Sequence, residues 1–465
     1  MLMSSPEVIP FEGQALIGIS RRDITPPVGI YGRMWGASNH DKSEGTHKPL
    51  YVTAMSIQAD PADSPAILMT VDAASLGDLD GREALWLRKE ITRVLEIDDS
   101  HLMLACSHTH ASPWFARSRS HLPGGDLIEG YLQEMAQTMV EVCQEAVSKR
   151  DSAIITFNDG NCTLASNRDF PDPHDPSRFL TGFNPDVPAE ERVLVGRVTR
   201  TLDEKVIGTI VNYACHPTSL GWDNKLVSPD YVGAMREVVE AEFDGAPCLF
   251  LQGASGDLAP AFQYVADTNV ADNHGAQLGF AALSALSGMN SAGNKFAFDR
   301  AVESGAPLAY WEPKPYTVSE DVVITADQVG LPAKKWPSID ELDDELSKTS
   351  DSFARERIFR KRSIAKLVMG GSEIDLRIYG WRVGKILFVG VQCEVYSIWQ
   401  QKIREMFPDY AVVAITCVDY EAIGYVVPDP LHDLNLYTAW QPPFGKGVMD
   451  ALLDGSARQL RKTLS

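Results

Sequence analysis

Positive charge is scarce in this chain. Its 465 residues hold 42 Lys and Arg against 63 Asp and Glu, a formal net charge of −21. Nucleic-acid backbones are bound through clustered Lys and Arg, and anionic lipid surfaces attract polybasic segments. Both partners are therefore disfavoured, and the acid excess reads as a solubility feature rather than a docking face. No apolar run approaches the ~20 residues that span a bilayer, so no stable membrane anchor is expected. The segment Met1–Val8 lacks a positive n-region and a long apolar stretch, and reads as no secretory signal. The seven cysteines are an odd number, widely spread, with no C-x-x-C. Cys106, Cys143, Cys215, Cys248, Cys393 and Cys417 lie in apolar surroundings and read as small buried hydrophobes. The expected compartment is a reducing cytoplasm, without structural disulfides. G-x-G-x-x-G and Walker loops are absent, as are repeats and low-complexity tracts, so nucleotide binding has no support.

What is present fits a globular protein, with 44% apolar and 23% charged residues. The length is large for one core, yet a single α/β or α+β unit reaches it with insertions. Apolar runs predict strands over 66–70, 102–105, 153–157, 193–199, 206–213, 248–251, 374–381, 385–391 and 412–416. Helical periodicity predicts helices over 82–95, 127–148, 231–242, 270–286, 396–407 and a tail at 448–464. The expected fold is mixed α/β (α+β), with central β-sheets flanked by helices, in one domain spanning 1–465. The proline-punctuated, charged segment 295–369 reads as a surface insertion with one or two amphipathic helices. Acids at Glu341, Asp343, Asp344 and Glu345 face bases at Arg355, Arg357, Arg360, Lys361 and Arg362, which could pair within it.

Three apolar-to-polar transitions carry chemistry. Leu102–Ala105 runs into Cys106-Ser107-His108-Thr109-His110-Ala111-Ser112-Pro113. Two histidines one residue apart line one pocket if the chain stays extended across them. Imidazole is both the commonest metal ligand and the commonest general base. Val211-Asn212-Tyr213-Ala214-Cys215 ends in His216, and Pro217 stops that strand. Leu387–Val391 is followed by Gln392, Cys393 and a lone acid, Glu394. Zinc takes three or four such ligands, drawn from His, carboxylate and thiolate. Asp72, closing an apolar run, reads either as a partner that orients a ligand histidine or as a helix cap. His121, near Gly124 and Gly125, is a candidate for the pocket mouth.

These residues resemble the catalytic domain of the neutral, non-lysosomal ceramidases, zinc amidohydrolases that cleave the N-acyl bond of ceramide. Ile17-Gly18-Ile19-Ser20-Arg21-Arg22-Asp23-Ile24-Thr25-Pro26-Pro27 is similar to the family's opening motif. Ser107-His108-Thr109-His110 matches its T-H-T-H-S block, and His216-Pro217-Thr218-Ser219 its H-P-T-S block, with Ser228-Pro229-Asp230 close to the S-G-D that follows. Gly256-Asp257-Leu258-Ala259-Pro260 stands where the family has G-D-V-S-P. The resemblance runs from about residue 14 to 445. It implies Zn²⁺ held by His108, His216, Glu394 and a tyrosine matching Tyr425, with Tyr420 as the rival position. It implies catalytic roles for His110, Tyr437 and Arg168, and substrate contact at Asp257 and Ala259. The implied substrate is a small or lipid-like N-acyl compound, and a homo-oligomer is left open. The implied activity is hydrolysis of a linear amide by metal-activated water. A zinc-dependent esterase or lactonase, and a metal-holding protein without catalysis, are the alternatives. The chain departs from the pattern at Ala259, which replaces a serine that contacts the substrate's hydroxyl end. Ceramide itself is therefore expected to be poorly used. The family's C-terminal immunoglobulin-like domain is not expected after the tail helix.

Overall fold

The computed structural model describes residues 6–465, apart from 79, 369–370 and 420–423. A large sheet is built from β1 Phe11–Asp23, β2 Tyr51–Gln58, β3 Ala66–Val71, β4 Leu102–Cys106, β5 Asp151–Asn161, β6 Arg192–Arg200, β7 Val206–Tyr213 and β8 Cys248–Gln252. Its order is β8-β7-β6-β5-β1-β2-β3-β4. A second sheet holds β9 Val322–Pro332, β10 Glu373–Val383, β11 Ile386–Val391 and β12 Ala411–Ile415, in that order. The major helices are α1 Arg82–Leu95, α2 Ile128–Ser148, α3 Tyr231–Glu242, α4 Thr268–Ser287, α5 Ile339–Lys348, α6 Ser352–Val368, α7 Ile398–Met406 and α8 Val448–Lys462.

One connectivity occurs three times. Three strands pair antiparallel in sequence, a helix crosses over, and a fourth strand adds parallel to the third before a closing helix. It runs through β1–β4 with α1 and α2, β5–β8 with α3 and α4, and β9–β12 with α7 and α8. The parallel pairs are β3–β4, β7–β8 and β11–β12. Parallel neighbours need such a helical crossover because a short turn cannot return the chain to the same end. The first two units join through antiparallel β1 and β5 into the eight-stranded sheet.

The two sheets face each other across one apolar core. Ile17, Leu68, Met103, Ile155, Ile210 and Leu249 of the large sheet meet Trp381, Phe388, Val413 and Ile415 of the small one. Their approach is close: a Cβ on Gly13 would meet Val383 O at 2.2 Å. Helices α1 and α2 cover one half of the large sheet's outer face, α3 and α4 the other half. Helices α7 and α8 cover the small sheet, so the layers run α-β-β-α. Helix α2 buries Tyr131, Leu132, Met135, Met139, Val142 and Cys143, the stripe at three- and four-residue spacing read from sequence.

The edge strands β4 and β8 approach each other, and the chain leaving β12 lies between them. Thr416 N–H donates to Gln252 O at 2.9 Å, on the β8 side. On the β4 side, Cys106 N–H donates to Cys417 O at 3.1 Å and Asp419 N–H to Leu104 O at 2.5 Å. Cys417 and Asp419 take left-handed φ values of 58° and 61° to present these groups. The Asp419 carboxylate is buried and pairs with Arg88 of α1, and accepts from Tyr379 Oη at 2.8 Å.

The mixed α/β class is borne out, and the predicted strands and helices stand within a few residues of the observed ones. Strands β1 and β2 were not read as strands: β1 carries buried Glu12 and close-packed Gly13 and Gly18, which break its apolar run. The segment 295–369 is richer than two helices. It holds β9, the edge strand of the small sheet, and all but the first residue of the hairpin Asn294–Glu303/Pro307–Pro315, besides α5 and α6. Its charges do pair in part, Arg362 with Asp343 at 2.6 Å. Asp72 fills neither expected role. It pairs with Arg236 and accepts from Tyr51 N–H at 2.9 Å, tying α3 to the large sheet. All seven cysteines are buried. Among the described residues no helix is long and apolar enough to cross a membrane.

Breaking the Arg88–Asp419 pair tests this arrangement. Arg88→Met leaves a buried carboxylate without its guanidinium and is expected to cost about 3–5 kcal/mol. The double variant Arg88→Met/Asp419→Asn should recover part of that loss. Urea denaturation of the three proteins measures both effects.

Candidate metal centre

Each unit delivers side chains at the carboxyl ends of its parallel strands. His108 follows β4, and its φ of 67° turns the chain there, so the pair is not extended. The turn still brings His110 Nε2 to 3.3 Å from His108 Nε2. His216 follows β7, and its backbone N–H donates to Leu258 O at 3.0 Å. The two histidine loops are joined by His110 N–H to Pro217 O at 3.4 Å. Glu394 follows β11 in a two-residue parallel ladder that sets it beside Tyr425.

The imidazoles converge through their Nε2 atoms. His108 and His216 Nε2 stand 3.0 Å apart, and Glu394 Oε2 lies 2.9 Å from the second and 3.4 Å from the first. Their Nδ1 atoms contact backbone carbonyls instead, His108 with Ala74 O at 3.0 Å and His216 with Ser255 O at 2.8 Å. A carbonyl accepts only from a protonated nitrogen, so these contacts assign the proton to Nδ1 and leave Nε2 with a lone pair. Two lone pairs and a carboxylate facing one another at such distances repel unless a cation or a proton stands among them. That donor set fits a metal ion, and carbonyl-anchored Nδ1 atoms are the usual support for metal-bound histidine. Ligand atoms of His108, His110 and His216 all lie within 4.8 Å of one another.

Burial sets the titration of this cluster. It lowers the His216 pKa to about 3, helped by Arg168. It also holds His110 well below the ordinary histidine value, with His108 and His216 adding to the effect. Burial pushes Glu394 up, but His108 and His216 outweigh it and hold the carboxyl well below its usual range.

The aromatic and cationic neighbours follow. Tyr425 stacks on His216 at 6.4 Å between ring centres, and Tyr437 meets Tyr425 edge-on at 5.7 Å. Burial, with Glu394, raises the Tyr425 phenol well above its ordinary value. Tyr420 lies outside the described residues. Arg168 stands over the Tyr425 ring at 5.4 Å and donates from Nε to Gly256 O at 3.0 Å. Its Nη2 is buried and has no hydrogen-bond partner among the described residues. Asp257 spends its carboxylate on Ser397, accepting from N–H and Oγ at 2.7 Å each. Burial pushes its pKa to about 6. Ala259 is fully buried on the short strand Leu258–Pro260 that receives the His216 N–H. His121 lies exposed in a groove beside Trp114 and Leu122.

Sequence reading missed the wall over His110. Trp35 packs on that ring at 5.1 Å, and Tyr264 and Trp222 pack on Trp35 at 5.4 and 6.3 Å. Trp35 and Trp222 sit in loops without periodicity, so no pattern marks them. The Ala74 and Ser255 carbonyls were equally illegible, since any residue supplies one.

Residues 15–277, more than half of the chain, match the N-terminal region of the neutral/alkaline non-lysosomal ceramidases. The chain belongs to this family. The matched span holds His108, His110, Arg168 and His216; the fold brings Glu394, Tyr425 and Tyr437 to them from beyond it. The fold is similar to the crystal structure of neutral ceramidase from Pseudomonas aeruginosa, with a TM-score of 0.66. Identity there is 15%, over 98% of this chain and 75% of that one. A ceramidase complexed with C2 matches equally, at TM-score 0.66 and 15% identity, over 98% and 76% of the two chains. At that identity the likeness speaks for the fold.

Two outcomes are expected of the cluster in this ceramidase-family chain. His108→Ala and His216→Ala each lose bound metal, measured by elemental analysis of purified protein; full retention in both would exclude the cluster as a metal site. The metal-free protein is acid-sensitive through His216. Its folded pKa of about 3 lies below the ordinary 6.5, so the unfolded chain binds more protons as the pH drops. The His216 contribution to stability is intact above about pH 6.5 and is lost on the way down to about pH 3. Thermal melts across that range should show a shallower acid limb for His216→Asn.

Proposed function

We propose that this chain is a zinc-dependent hydrolase of N-acyl amides, with His108, His216, Glu394 and Tyr425 as ligands. The observation that carries the reading is the convergence of two Nε2 atoms and a carboxylate beside a third, neutral histidine. Zn²⁺ bound there would supply a Lewis acid for the acyl oxygen and lower the pKa of water towards ~7.

The remaining steps belong to side chains. His110 is kept neutral by burial, so its Nε2 can accept a proton from the attacking water and return it to the departing amine nitrogen. The buried Arg168 Nη2, without a hydrogen-bond partner among the described residues, and the Tyr437 hydroxyl are the donors assigned to the oxyanion. Trp35 and Tyr264 form an apolar wall beside His110 that limits water around the scissile bond. An ester or lactone needs less protonation of its leaving group, so the same residues suit those bonds, and an inactive binding protein would keep the metal without turnover.

A chelator-sensitive screen of N-acyl amines, N-acyl amino acids and simple esters separates these readings. Amide turnover abolished by chelation and restored by zinc is expected. Bound metal with no turnover on any member would favour a binding protein. His110→Ala should lower kcat by about 10²–10⁴ while retaining metal. Tyr437→Phe should lower it by about 10²–10³. Short-chain ceramide is expected to be a poor substrate, because Ala259 offers no hydroxyl. Gain of ceramide hydrolysis in Ala259→Ser would tie the departure to substrate choice, and wild-type kcat/KM for ceramide equal to that of the best N-acyl substrate would overturn it.

A further inference from the structure

Tyr437 has two sides. One meets Tyr425, which itself stacks on His216; the other lines a cavity of about 290 Å³. The cavity wall opposite Tyr437 comes from α6 and carries Arg357, Arg360 and Lys361. Trp440 closes it, meeting Tyr437 edge-on at 5.3 Å.

The charge balance of this cavity opposes that of the chain. Its one acid, Glu356, is shared between Arg360 at 3.3 Å and Arg119 at 3.0 Å. Arg357 lies over the Trp440 ring at 5.5 Å instead of on a carboxylate. Beneath the cavity, Lys334 Nζ donates to the Ala439 and Trp440 carbonyls at 3.0 and 3.3 Å. Burial lowers the Lys334 pKa to about 8, and Lys361 adds to it. Among the described residues Arg357, Lys361 and Lys334 have no carboxylate at ion-pair distance. In a protein with 21 more acids than bases, uncompensated cations gathered around a cavity next to the reaction centre call for an anion.

We infer that this cavity binds an anionic group of the substrate, so that the preferred substrates are N-acyl compounds bearing a carboxylate, N-acyl amino acids foremost. The inference rests on the amide-hydrolase reading above and deepens it. Guanidinium groups pair with a planar carboxylate through parallel N–H donors, and Lys361 adds a point charge at the rim. Arg360 faces both the cavity and Tyr437, so an anion seated there also sets the acyl group beside the Tyr437 hydroxyl.

The test compares a medium-chain N-acylglycine with its N-acylglycinamide, equal in shape and differing in charge. With zinc-loaded enzyme, kcat/KM for the acid is expected to exceed that of the carboxamide by roughly tenfold or more. The ratio should collapse towards one in Arg357→Gln/Lys361→Gln and survive in Arg357→Lys/Lys361→Arg. It should also shrink with added salt, because the cavity is open to solvent. Equal turnover of the two compounds, or a ratio that ignores the charge-removing variant, overturns the anion site while leaving the amide hydrolase in place. If neither compound is turned over, the hydrolase reading fails. Calorimetric binding of the same pair to the same proteins then decides the anion site by the same ratio.

Discussion

Asp419 is a carboxylate with no exposed surface, held by Arg88 and the Tyr379 hydroxyl between two sheets. A buried charge of this kind tolerates one geometry, because losing either partner leaves an ion without solvent. The segment that carries it, Thr416 to Asp419, hydrogen-bonds to β8 on one side and β4 on the other. It closes the gap between the free edges of the large sheet. His108 leaves β4 and His216 leaves β7, beside β8, so the same closure decides whether their Nε2 atoms meet. The left-handed backbone at His108, Cys417 and Asp419 is strain concentrated at this junction.

The threefold use of one connectivity explains where the centre forms. In open α/β sheets, loops at the carboxyl ends of parallel strands gather around a crevice. Here each of three units offers such an end: His108 and His110 from the first, His216 from the second, Glu394 from the third. The other strand of each parallel pair supplies support, as Ala74 O does beyond β3, Ser255 O beyond β8 and Tyr425 beyond β12. No unit holds enough donors alone. The cluster exists only where the ends of all three are packed together, which ties it to the integrity of the sandwich.

Charge is distributed against the average of the chain. The surface is acidic, while the cavity beside Tyr437 is cationic because Glu356 is shared between Arg119 and Arg360, and among the described residues Arg357 and Lys361 have no carboxylate at ion-pair distance. An acidic exterior with a basic pocket attracts small anions only at short range, where the local cations outweigh the distant acids. Helix α6 provides this wall from the segment 295–369, so a part of the chain remote from the histidine motifs shapes what reaches them.

The sequence by itself determined the helices and most strands, because periodicity of burial is written directly in the order of apolar residues. It also determined the donor types, since His108, His110, His216 and Glu394 each end an apolar run. Strands β1, β2 and β9 escaped it. In β1 the buried Glu12 and the glycines at the sheet contact answer to neighbours distant in sequence rather than to a local pattern. The threefold connectivity left no trace in composition, since a topology can recur without shared residues. Asp72 looked like a partner for a ligand histidine, yet Arg236, 164 positions away, claimed it. Only the tertiary structure decided which nitrogen of each histidine faces the centre, because backbone carbonyls at Ala74 and Ser255 made that choice. It alone placed Trp35 over His110 and three cations beside Tyr437, for such juxtapositions depend on packing between segments and not on spacing within any one of them.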